Sequence, residues 1–204
     1  LQGARAMPRP RQPVRFYLGG GSPEAWEVSA RHADVHLFWG DTVPAIASNM
    51  ATLRGMAARH GREHELGFGM RLQIICRETE AEARSAAERL VSKLDADTGD
   101  AIRNKSLDAA SFGVARQAAL REGAADDGFV EENLWTGVGR ARSGAGAAIV
   151  GDPDQVAAKL RAYQDIGIGA FILSGYTHAA ECDLFAEHVL PKLEHAPLKP
   201  RFTH

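Results

Sequence analysis

The sequence predicts an α/β fold, half of a (β/α)8 barrel, and three observations predict it. Four short apolar runs, at residues 15–19, 34–39, 68–76 and 169–174, are each followed by a helical pattern. Each run ends in glycine or polar residues, and α/β folds bind ligands at the carboxyl ends of their strands. Each connection is long enough for a right-handed crossover, so the strands are expected to be parallel. Four such units laid side by side leave two parallel edges open, which an isolated sheet avoids. Four is half the number that closes a barrel. All 204 residues are assigned to one domain of this kind.

Composition bounds the function classes. Hydrophobic residues make up 45%, ordinary for a globular protein, and the formal charge of −2 offers no basic footprint for nucleic acid or anionic lipid. No apolar run approaches the ~20 residues that span a bilayer, and no leader pattern opens the chain, so a cytoplasmic protein is expected. Cys76 and Cys182 are too isolated for a disulfide framework or a zinc site. His60 and His64 stand four apart, but Gly61 breaks the helix between them, and no metal is expected.

Leu1–Val14 is Pro/Arg-rich and without period, and is expected to be an extended lead-in from something upstream. Arg15–Leu18 is the first strand, and Gly19-Gly-Gly-Ser22 follows at once. Ser22 suits an N-cap and Pro23 the first helical position, so a helix is expected over about 23–33. A glycine turn feeding a helix N-terminus presents N–H groups to an anion such as phosphate, though three glycines also make an ordinary turn. Asp34–Trp39 is the second strand, closed by Gly40. Thr42 is expected to cap a helix carrying Ile46, Met50, Leu53 and Met56 at helical spacing, ended by His60 and Gly61.

The third strand holds Met70–Cys76. Arg71 within it needs a structural carboxylate or an anionic ligand, because an unpaired buried guanidinium is very costly. Thr79 and Glu82 form a capping box for a helix reaching about Leu94, with Ala83, Ala86, Ala87, Leu90 and Leu94 inward. Residues 97–146 then break the rhythm, an insertion with one amphipathic stretch around Leu107–Leu120. Its end, from Trp135 to Gly146, carries glycine hinges and two arginines and is expected to be a mobile lid. Ala148–Val150 is a short extended piece, and Asp152 with Pro153 caps a helix bearing Val156, Leu160 and Tyr163. The last strand, Ala170–Leu173, runs into Ser174-Gly-Tyr-Thr-His178, a polar tip that reads as a site, and the final helix spans about 178–190.

These motifs resemble a known family. Leu18-Gly-Gly-Gly-Ser22, Phe38-Trp-Gly40, Gly69-Met-Arg-Leu72, Arg77-Glu-Thr79, Asn133-Leu-Trp135, Gly137-Val-Gly139, Ser143-Gly-Ala-Gly146 and Leu173-Ser-Gly-Tyr176 with His178 are similar to the C-terminal half of alkanesulfonate monooxygenases. Those enzymes are flavin-dependent (β/α)8, or TIM, barrels of the bacterial-luciferase-like group. The resemblance runs from about Gly3 to Leu193 and implies strands five to eight, with the long insertion before the last. It implies reduced FMN delivered by a separate NAD(P)H-dependent flavin reductase, O2 as co-substrate, and cleavage of an alkanesulfonate to aldehyde and sulfite. A homo-oligomer is expected.

Residue by residue, Gly20, Gly21 and Ser22 match the turn on the FMN phosphate, and Trp39 matches an active-site tryptophan. Arg71 and Arg142 match arginines facing flavin and sulfonate, and Tyr176 and His178 match the tip of the final strand. A guanidinium meets a sulfonate as a planar, bidentate donor. Gln73 stands where the family has histidine, at a position placed with Trp39, Arg142 and Tyr176 on the substrate side. It can donate and accept but carries no proton at neutral pH. Further flavin contacts, among them a cysteine, belong to the family's N-terminal half. A deazaflavin-dependent oxidoreductase of the same superfamily and a non-catalytic assembly paralogue are the alternatives.

Overall fold

The computed structural model of the chain describes residues 14–104, 111–141, 144 and 146–196. Its parallel strands are β1 (Tyr17–Gly19), β2 (Val35–Trp39), β3 (Gly67–Cys76), β6 (Ala148–Gly151) and β7 (Ala170–Ser174). Between them run α1 (Pro23–His32), α2 (Val43–Ala58), α3 (Glu80–Val91), α4 (Ala96–Asn104), α5 (Phe112–Glu122) and α6 (Pro153–Asp165). The last helix, α7 (His178–Leu184), continues into a π turn at Phe185–Val189 and a 3-10 turn at Leu190–Lys192. The four expected strands lie side by side as β1, β2, β3 and β7, all parallel, in a curled half-barrel sheet. Among the described residues β1 and β7 each pair on one side only, so the two open edges are present as expected. No described helix is long and apolar enough to cross a membrane.

β3 is the centre of the sheet. One edge pairs with β2 over Gly67–Arg71 and then with β6 over Gln73–Cys76, and the other edge takes β7. Alternate residues of a strand aim their backbone groups the same way. Arg71 accepts from Gly40 and Gln73 donates to Ala147, so β6 lies end to end with β2 along one edge of β3. The Gln117 amide of α5 closes the break, donating to Gly40 O at 2.9 Å and accepting from Gly146 N at 3.1 Å.

The insertion contributes two strands that the sequence reading did not contain. β4 (Phe129–Glu131) and β5 (Leu134–Trp135) form an antiparallel hairpin, and β5 pairs antiparallel with β6. The turn is made by Glu132 and Asn133, the latter at a φ of 59°, a conformation asparagine tolerates. Trp135 and Val138 are buried against Ile75, Ala83, Ala87 and Val150, so the first turn of the expected lid is anchored in a second core beneath α3.

The main core lies between the outer face of the sheet and α1, α2 and α6. Phe38, Phe68, Met70, Leu72 and Ile74 point outward onto Ala30, Ile46, Met50, Leu53 and Leu160. Capping follows the sequence at Ser22, Thr79 and Asp152, where each side chain accepts from the first-turn backbone. Thr42 differs: its hydroxyl makes no cap bond, and the orphan donors of α2 go to carboxylates instead. Asp41 accepts from Thr42 N at 2.8 Å and Glu131 from Val43 N at 3.2 Å, the negative charges that a helix N-terminus favours.

His36 is buried on the outer face, with Nδ1 2.7 Å from Ser29 Oγ and the rings of Trp26 and Phe38 edge-on to it. Desolvation lowers its pKa to about 4, so the fold holds neutral imidazole. Because the unfolded chain titrates near the ordinary 6.5, it binds more protons than the fold between those values. The contribution of neutral His36 is therefore complete above about 6.5 and is lost as pH falls toward 4. Its size is about 2–3 kcal/mol by pH 4.5. Urea unfolding of the unaltered protein and His36→Gln at pH 7.5 and 4.5 measures this. The variant is expected to lose less stability between the two pH values, and an identical loss rules out His36 as the source.

Candidate functional site

The site begins where β1 ends. Gly20 has a φ of 155°, and a Cβ there would stand 2.6 Å from Ala25 Cβ, so the turn needs glycine. Its carbonyl accepts from Trp26 Nε1 at 3.1 Å, and Ser22 Oγ accepts from Ala25 N at 3.2 Å. The donors around the cap already hold a negative charge. Glu24 lies below the usual carboxylate range because its own backbone N–H donates to it, helped by the Ser22 hydroxyl. Phe112 at the start of α5 closes over the turn, and a Cβ on Gly21 would come within 2.9 Å of its ring.

Above this turn lies a cavity of about 1200 Å³ between β1, β2, α2 and α5. Gly20, Gly21, Ser22, Trp39, Phe112 and Arg116 are among its lining residues, so four of the expected cofactor and substrate residues meet in one space. Its volume exceeds what a drug-sized ligand needs. Trp39 packs against Gly113, where a Cβ would lie 2.8 Å from the indole.

Arg71 and Gln73 do not line this cavity. They stand next to it on the inner face of β3, the face a closed barrel encloses, alternating with the outward Met70, Leu72 and Ile74. In register, Trp39, Arg71 and Ile172 form one rung of that face, and Gln73 with Ser174 the next. No ion pair of Arg71 with a carboxylate occurs among the described residues, and its buried Nε has no hydrogen-bond partner. Of the two partners the sequence left open for Arg71, the structural carboxylate is therefore not found there. Gln73 is 1% exposed, and neither Oε1 nor Nε2 has a partner among the described residues.

Tyr176 and His178 lie at the tip of β7, their rings 5.5 Å apart and edge to face, both accessible. His178 opens α7, which is tied to the end of β3 by an ion pair of half-buried Arg77 with buried Glu181, Nη2 to Oε1 at 2.7 Å. Gly175 lets that pair approach: a Cβ there would stand 2.4 Å from Glu181 Cβ. Arg142 lies outside the described residues.

Sequence reasoning missed Arg116 and Asp41. Arg116 Nε meets the buried Asp41 Oδ2 at 2.7 Å, and both line the cavity. Arg116 is four residues after Phe112 on the amphipathic stretch, a spacing that put it on the same face without marking it as functional. Cys76, the last residue of β3, is buried, and desolvation pushes its thiol up to about 11, which leaves it unreactive.

Three comparisons with known proteins bear on the family and the fold. Residues 1–170 match the sequence profile of the family described as luciferase-like monooxygenase. A sulfoquinovose monooxygenase of Novosphingobium aromaticivorans is 60% identical over 183 residues, 90% of this chain and 50% of that protein. One from Agrobacterium fabrum is 49% identical over 88% of this chain and 46% of that protein. The chain thus spans about half the length of the curated relatives it matches. Among solved structures, EDTA monooxygenase from Chelativorans sp. BNC1 superposes with a TM-score of 0.65 at 19% identity, over 90% of this chain and 44% of that one. At that identity the likeness concerns the fold.

The tight approach at the β7 tip sets a measurable expectation. Gly175→Ala drives a methyl into Glu181 and is expected to cost about 1–3 kcal/mol, as overpacking does. Gly55→Ala, inside α2 with nothing within 4 Å, is expected to stabilise by about 0.5–1 kcal/mol. Denaturant midpoints of the two variants, read together, check both signs.

Proposed function

The chain belongs to the luciferase-like monooxygenase family, and on that premise we propose that it forms the C-terminal half-barrel of a two-component, FMN-dependent monooxygenase acting on a sulfonated sugar. The observation that carries this is the meeting of the glycine turn, Trp39 and Arg116 in one large cavity beside Arg71, which has no carboxylate partner among the described residues. The two curated relatives, at 60% and 49% identity, favour a sulfosugar over the simple alkanesulfonate implied by the resemblance.

The residues present fit FMN. The cap of α1 stabilises an anion now, in the form of the Glu24 carboxylate, so the same donors suit a phosphate that takes its place. Ser22 and the N–H groups of the turn would hold that phosphate, with Arg116 on the facing helix as the nearby cation. Trp39 and Phe112 offer aromatic surface to a planar ring system. Reduced FMN, supplied by an NAD(P)H-dependent reductase, provides the electrons by which one atom of O2 enters the substrate and the other leaves as water. The C–S bond breaks, carbon leaves as an aldehyde, and sulfur leaves as sulfite.

The chain's own groups divide the remaining work. Arg71 is the cation for the sulfonate, since its guanidinium is half-buried and lacks a carboxylate partner among the described residues. Tyr176 and His178 form an accessible pair at the strand tip, a phenol and an imidazole that can both hydrogen-bond a substrate. Sulfite release by the intact protein with a flavin reductase, NADH and sulfoquinovose tests the reading. Turnover of octanesulfonate but not of sulfoquinovose would reverse the substrate assignment.

The phosphate seat has its own test. Ser22→Ala is expected to weaken FMN at least tenfold, since a hydrogen bond to a charged group contributes about 1.5–3 kcal/mol. Riboflavin, which has no phosphate, should bind within about twofold of the unaltered protein. Fluorescence titration of both flavins decides it, and an equal loss for riboflavin moves the phosphate elsewhere.

A further inference from the structure

The inner face of β3 carries a group that the fold does not use. Gln73 is 1% exposed, yet both ends of its amide lack a partner among the described residues. Most buried polar groups are satisfied, and one left unmet costs about 1–3 kcal/mol. The sheet needs only the backbone of this residue, through Gln73 N to Ala147 O and its register with Ala148 and Ser174. An apolar side chain of the same size would serve the fold better. A residue kept against the stability of the fold points to a ligand.

We infer that Gln73 is the specificity-determining residue of the substrate site, binding a substrate hydroxyl close to the sulfonate. The assignment rests on the sulfosugar reading above. Arg71, on the same face, also has a group without a partner among the described residues, its Nε. The two positions lie about 6.5–7 Å apart along the strand. In a hexose sulfonated at its terminal carbon, the nearest hydroxyl stands two carbons beyond the carbon that bears sulfur, a comparable span. A hydroxyl both donates and accepts, and an amide answers both at once, with Oε1 accepting and Nε2 donating. A carboxylate here would repel the sulfonate, and a lysine could not accept. A buried site built for a hydroxyl rejects the analogue that lacks it, because its own polar group is then left unpaired.

The test uses Gln73→Met in the intact protein, with calorimetric titration of sulfoquinovose and hexanesulfonate and thermal unfolding without ligand. Methionine removes the orphaned amide at similar volume, so the ligand-free midpoint is expected to rise by about 2–5 °C. The ratio of the two affinities, sulfoquinovose over hexanesulfonate, is expected to fall about 10–100-fold, with FMN binding unchanged. A lower midpoint shows a structural partner for Gln73, such as a buried water, and overturns the assignment. So does an unchanged affinity ratio. If the unaltered protein binds neither sulfonate, the functional reading itself fails and the assignment falls with it.

Discussion

The two hydrogen-bonded edges of β3 are the constraint on which the rest of the molecule depends. This ten-residue strand is the only described one long enough to serve β2 and β6 in turn on one side and β7 on the other. Where β2 stops and β6 begins, the ladder has a gap that would leave Gly40 O and Gly146 N unmet. Gln117 fills both with one side chain, and that places α5 across the strand ends. The cavity exists because α5 is held there: Phe112 reaches the glycine turn, Gly113 reaches Trp39, and Arg116 reaches Asp41. A bond that mends the sheet therefore also builds the wall of the site.

The two faces of the same strand are used for opposite purposes. Outward residues are apolar and meet helices without exception, and the core they form supplies the hydrophobic stabilisation. The inward positions read Gly67, Gly69, Arg71, Gln73 and Ile75, and the two polar ones carry atoms with no partner among the described residues. In a strand of period two, such a division is available at no topological cost, since a substitution inside leaves the outer face unchanged. The fold can tolerate unsatisfied groups at Arg71 and Gln73 because Met70, Leu72 and Ile74 are buried so completely behind them.

What was legible in the sequence follows the same physics. The four barrel strands announce themselves by apolar runs next to capped helices, and the turn at Gly19–Ser22 by the residues a helix start requires. The hairpin of β4 and β5 did not, because strands of three and two residues are too short for a period to register. Asn133 was its one local signal, a turn former at a left-handed φ. Arg116 and Glu181 were also invisible: a charge on an amphipathic helix, or an acid in a first helical turn, reads as a solvated group. Their partners, Asp41 and Arg77, are 75 and 104 residues away in the chain, and only the fold brings them together.

The pairing of the two site arginines bears on which anion each can serve. Arg116 is half-exposed and already faces the buried carboxylate of Asp41, so much of its charge is balanced in place. It suits a shared role, beside a helix N-terminus and a serine hydroxyl, on an anion that several donors hold together. Arg71 is more enclosed, has no carboxylate partner among the described residues, and keeps an unpartnered Nε. A full positive charge in a site of low dielectric attracts an anion far more strongly than a balanced one. Under the proposed function the sulfonate, with no glycine turn to receive it on the inner face, would draw on that undiluted charge. In the proposed function this division puts phosphate at the turn and sulfonate at β3, with Trp39 between them in register with Arg71 and open to the cavity.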